Sequence, residues 1–180
     1  MTYFKTGLLA VFAVQLLLVG AMLFDRVQTI RNGEEVVMQS RFVDPRDIFR
    51  GHYVRINLVA GTVGKNLPGG SEPFVFNEPV FVSLQKSSNG FWVAKALYKT
   101  LPENIDDPVL RGVYAGTAGN TLRVRFPFDR YFAQKERALE LEKLHSAQKL
   151  GVVLALDGSG GGVIKGITID GDIIYDEPLL

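Results

Sequence analysis

Ser40 and Lys95 are the residue types from which a nucleophile and its base could be built. A desolvated lysine beside a serine can take the hydroxyl proton, the chemistry of a membrane-bound serine-lysine hydrolase. Ser40 lies eleven residues before Gly51 and is followed by Arg41 and Phe42, while Lys95 sits in the segment "VAKAL", residues 93–97. The two types occur without a surrounding motif, so this chemistry is an alternative reading. The two histidines, His52 and His145, stand ninety-three residues apart, and a zinc site would need both of them and a carboxylate to converge. "DGDIIYDE", residues 170–177, carries four acids, but its glycine is second rather than sixth as an EF-hand loop requires; it reads as a turn and a solvated tail. Asp106 and Asp107 are adjacent in the loop "LPENIDDP" and cannot flank one sugar as acid and nucleophile. "GSGGG", residues 158–162, lacks the Lys-Ser/Thr of a phosphate loop. The sequence therefore assigns no catalytic residue, no metal and no cofactor.

The densest charge lies in "DPRDIFRGHYVRINL", residues 44–58, with two acids, three arginines and a histidine. Pro45 fixes its own φ, and Asp44 and Asp47 can accept bonds from nearby backbone N–H groups in a short helical turn. Gly51 can take the positive φ that ends the turn and launches a strand. Arg46, Arg50 and Arg55 have carboxylates within reach, so a charged turn locked by local ion pairs already explains most of the composition.

The elements around this stretch follow from patterning. "TGLLAVFAVQLLLVGAMLF", residues 6–24, is nineteen residues without a formal charge. As a helix it spans about 28 Å, close to the hydrocarbon thickness of a bilayer. It reads as a single-pass anchor over residues 1–26. The rival is a cleaved signal peptide, with Val19-Gly20-Ala21 imitating a cleavage site, but valine is a mediocre residue there and only Lys5 precedes the apolar run. Gln15 falls at mid-membrane depth, where an amide is favoured facing another helix. A short N-terminal tail before a long C-terminal domain resembles a signal anchor and puts residues 27–180 outside the cytoplasm.

Beyond the anchor the period becomes two. Strands are predicted over residues 36–43, 52–59, 79–86, 91–100, 109–117, 121–128, 151–157 and 163–170. Leu122, Val124 and Phe126 alternate with Arg123 and Arg125, the pattern of an antiparallel sheet with one wet face. "KSSNG" (86–90), "TAGN" (117–120) and "DGSGGG" (157–162) predict three hairpins. Residues 61–73, rich in Gly and Pro, read as a mobile loop, and residues 133–149 as one amphipathic helix lying over the sheet. The fold class is mainly β or α+β: an N-terminal transmembrane helix and one antiparallel β domain. With 20 Lys+Arg against 19 Asp+Glu, there is no basic excess to neutralise phosphates, so nucleic acid is not expected as a partner. The chain contains no cysteine, so it has neither a disulfide framework nor a thiolate nucleophile.

"DPRDIFRGHYVRINL" resembles the signature of the GDYXXLXY family of bacterial membrane-anchored proteins. Gly51 and Tyr53 match it, Ile56 replaces its Leu, His52 stands where it has Asp, and Leu58 stands where it has the second Tyr. "FDRYFAQKERALELE", residues 128–142, is similar to the family's second block through Asp129, Arg130, Tyr131 and Phe132, and "GGVIKGITIDG", residues 161–171, to its closing block. The resemblance implies a membrane-anchored domain at the inner membrane, associated with a polytopic membrane protein, and it implies no reaction. The expected function is that of a non-enzymatic accessory, scaffold or binding protein. Its recognition residues are expected among Asp44, Arg46, Asp47, Arg50, Gly51, Tyr53, Arg130 and Tyr131, with Gln15 as the membrane-helix contact. A small-ligand sensor with a pocket in the sheet is the remaining alternative.

Overall fold

A computed structural model describes residues 2–43, 53–128, 130–132, 150–169 and 172–176. The apolar run forms helix α1 (Thr2–Asn32), thirty-one residues and about 46 Å long. It extends six residues past the boundary expected at residue 26. Leu9, Phe12, Leu17, Met22 and Phe24 are all exposed, whereas Thr29 and Ile30 in the last turns are buried. The helix end is pressed against the sheet at Gly33, whose N–H bonds to the Thr29 carbonyl at 2.9 Å. A Cβ there would stand 2.4 Å from the Thr29 oxygen and 2.7 Å from the Leu156 oxygen, so only glycine fits the junction as it stands.

All eight expected strands are present with ends shifted by a few residues: β1 (Glu34–Val43), β2 (Tyr53–Leu58), β4 (Pro79–Lys86), β5 (Trp92–Tyr98), β6 (Val109–Ala118), β7 (Thr121–Arg125), β9 (Leu150–Leu156) and β10 (Gly162–Ile169). Three short ones join them: β3 (Thr62–Gly64), β8 (Arg130–Phe132) and β11 (Asp172–Asp176). Nine strands run in the order β11-β10-β9-β1-β5-β4-β6-β7-β3, and β2 and β8 branch from β1. Among the described residues the pairing is antiparallel except at one rung, Met38 opposite Trp92, where β1 and β5 are parallel. The three expected hairpins are formed. In the β9–β10 turn the Asp157 carboxylate accepts the N–H groups of Ser159 and Gly161, and the Gly160 carbonyl accepts the Arg111 N–H of β6 at 2.7 Å. That last bond ties the hairpin tip across to the far part of the sheet.

One face carries the core, with Met38, Leu84, Leu97, Leu110, Leu154 and Ile167 almost inaccessible to solvent. On β7 the alternation is as expected: Leu122 and Val124 are buried, Arg123 and Arg125 exposed. β9 is buried along its whole length, on both faces. Its uninterrupted "LGVVLAL" is the composition such a central strand needs.

Two expectations are corrected. Residues 61–73 are not an unstructured loop: Thr62–Gly64 pairs with β7, Lys65 donates to the Asn120 carbonyl at 3.0 Å, and Leu97 donates to the Pro68 carbonyl at 2.9 Å. Three residues are too few to show a period, and these bonds go to positions remote in sequence. Residues 172–176 are not a tail but an edge strand on β10. Acids at both ends of "DIIYD" hid a short apolar centre, and charge is what exposed sheet edges carry. The helix expected over residues 133–149 lies outside the described residues.

Candidate binding surface

β2 belongs to the first signature block and β8 to the second, and they are hydrogen-bonded neighbours. Tyr53 stands opposite Phe132, Val54 opposite Tyr131 and Arg55 opposite Arg130. Two segments seventy-five residues apart thus form one ladder. Of the expected recognition residues, Tyr53, Arg130 and Tyr131 are placed there together. Asp44, Arg46, Asp47, Arg50 and Gly51 lie outside the described residues, as do His52 and His145.

On its other edge β2 pairs with β1, setting Arg41 opposite Asn57, Val43 opposite Arg55 and Ser40 opposite Leu58. Opposed residues share a sheet face and successive residues alternate between faces. Arg41, Asn57, Arg55 and Arg130 therefore belong to one face, and Ser40 and Leu58 to the other. Ser40 and Leu58 are buried, 6% and 8% exposed, while Asn57 is open to solvent. Asn57 marks its face as open to solvent at that position.

The serine-lysine arrangement gains no geometric support. The Ser40 hydroxyl donates to the Asn57 carbonyl at 3.3 Å, and the Lys95 ammonium pairs with the Asp107 carboxylate at 2.6 Å at the surface. Among the described residues no group of three or more His, Cys, Asp or Glu side chains is gathered as a metal site would require. Gln15 is exposed on α1 within the apolar surface.

Two clefts of similar size flank the sheet and differ in charge. One, of about 600 Å³, lies where α1 meets the sheet and is lined by Asp25, Glu34, Asp106, Asp107 and Asp157. The other, of about 590 Å³, lies between β2 and β7 and is lined by the polar Asn57, Thr62, Arg123 and Arg125 and the apolar Leu58, Phe126 and Phe128. Its Arg125 is held in place: the guanidinium donates to Asn77 Oδ1 at 3.1 Å, and the Asn77 N–H donates to the Tyr114 carbonyl at 2.9 Å. Asn77 adopts a φ of 65°, a conformation asparagine tolerates better than most residues. Arg123 and Arg125 were readable as the wet face of a strand. Their approach to Asn57 was not, because it depends on which strands lie side by side.

These features define a β-sheet protein led by one helix long and apolar enough to cross a membrane, with a branch sheet built from two remote sequence blocks. The GDYXXLXY protein family matches residues 15–167, most of the chain and both of those blocks, and the chain belongs to this family. No curated protein and no solved structure matches it.

Proposed function

We propose that this chain is a single-pass protein of the inner membrane that works by binding, as an accessory subunit or scaffold of an integral membrane partner. Its β domain stands on the periplasmic side. The observation that carries the reading is the division of α1: large apolar side chains from Leu8 to Phe24 are exposed, and the final turns are buried against the domain. An apolar surface of that extent requires lipid or other helices around it. The burial of Thr29 and Ile30 joins the end of the helix to the folded domain, so an uncleaved α1 would hold the domain close to the membrane. Gln15 then offers the partner an amide at mid-membrane depth.

The test is affinity purification of the full chain from native membranes in mild detergent, with intact-mass determination and identification of co-purifying proteins. The expected result is an unprocessed N-terminus and a stoichiometric membrane partner. Gln15→Leu should weaken retention by about 1 kcal/mol, roughly fivefold. A chain cleaved near residue 21, or one that purifies alone, would refute the reading.

A further inference from the structure

We infer that the cleft between β2 and β7 is a binding site for a small, multiply charged oxyanion of the phosphate-ester or polycarboxylate type, taken from solution. This goes beyond the accessory-subunit reading and does not depend on it.

The first support is the distribution of charge. The chain as a whole carries a formal charge of only +1, yet the cleft at the helix end is lined by five carboxylate residues and the β2–β7 cleft by Arg123 and Arg125 with no acid on its walls among the described residues. A near-neutral protein that sorts its charges in this way presents a local positive field that net charge conceals. Guanidinium groups suit oxyanions because their planar donor array matches carboxylate and phosphate oxygens two at a time.

The second support is preorganisation. Arg123 and Arg125 stand two residues apart on one strand and so on one face. Arg125 is fixed by Asn77, leaving its remaining donors available at a defined place. Leu58, Phe126 and Phe128, which also line the cleft, are each at most 8% exposed, so part of its lining is apolar.

The position of the cleft selects the source of the ligand. From Glu34 at the helix end to Arg41, β1 advances seven residues, about 23 Å at the usual strand rise. Asn57 of the cleft pairs with that position, so the cleft is far along the strand from the anchor and its lipid headgroups.

Isothermal titration of the full chain in a non-ionic detergent at low ionic strength tests this, with inorganic pyrophosphate as the probe and sodium acetate as a singly charged control. Pyrophosphate should bind saturably at one site. Arg123→Gln should lower the affinity at least tenfold, and Lys165→Gln, outside the cleft, should leave it unchanged. Arg125→Gln should match Arg123→Gln; if loss of the Asn77 bond disturbs folding, as circular dichroism would reveal, Arg123→Gln carries the test alone. The inference is overturned by the absence of saturable pyrophosphate binding, by equal binding of acetate, or by undiminished affinity in Arg123→Gln. Binding that requires anionic phospholipid in the micelles would overturn the soluble source.

Discussion

Gly69→Ala tests whether residues 61–73 are built into the fold. Gly69 has a φ of +75°, and a Cβ placed there would lie 2.0 Å from the Leu97 carbonyl oxygen and 2.9 Å from the Leu97 carbonyl carbon. An alanine in the left-handed region costs about 1–2 kcal/mol. The overlap cannot be relieved by rotating a side chain, since the opposing atoms are backbone of β5. Separation must break the bond from the Leu97 N–H to the Pro68 carbonyl, and Leu97 is 2% exposed. Leaving that buried donor unpaired costs about 1–3 kcal/mol. The expected destabilisation is therefore about 2–5 kcal/mol, a fall in Tm of roughly 4–20 °C for a domain of this size. Gly90→Ala is the control: its φ is +86°, but nothing lies within 4 Å of the added Cβ. It should cost only the conformational strain, and any gain from a stiffer unfolded chain is common to both variants. Thermal melts of the two variants in the same detergent, followed by fluorescence of the single tryptophan, Trp92, give the comparison. If the two melt within about 1 °C of each other, the segment at Gly69 is not held against β5.

Thr168→Val should leave stability unchanged or raise it by up to about 1 kcal/mol, because the Thr168 hydroxyl is buried and has no hydrogen-bond partner among the described residues. A melting temperature several degrees lower would mean that the hydroxyl is bonded. A double-mutant cycle on Tyr53 and Phe132, opposed on the β2–β8 ladder, should give a coupling of about 0.2–1 kcal/mol in chemical unfolding. The same cycle on Tyr53 and Tyr131, offset by one residue and so on opposite faces, should give none, and the reverse result would shift the register by one.

Strong local periodicity made most of the fold readable. β7 displays its two faces in five residues, and the Asn-Gly of the β4–β5 hairpin places Gly90 at positive φ. What escaped was either too short to be periodic or defined only by partners. β3 and β11 are three and five residues long and sit at sheet edges, where pairing rather than composition makes the strand. The parallel rung between Met38 and Trp92 could not be foreseen, since a strand's own residues do not state the direction of its neighbour. The wet cleft was hidden for the same reason. Arg123 and Arg125 announce an exposed face, Asn57 announces another, and only the packing makes those faces adjacent.

Of the two explanations of the family signature, a structural lock and a binding site, the branch sheet gives the lock a physical basis. β2 has β1 on one edge and β8 on the other, so the second block covers an edge that would otherwise present unpaired backbone groups. That accounts for the joint presence of the blocks through backbone alone and places no demand on side chains of the wet face. Leu58 falls on the same face as Ser40 and both are buried, so the end of the first block serves the core side. Arg123 and Arg125 belong to neither block and are exposed, so the lock makes no demand on them, and Arg123→Gln should reduce pyrophosphate binding without lowering the melting temperature.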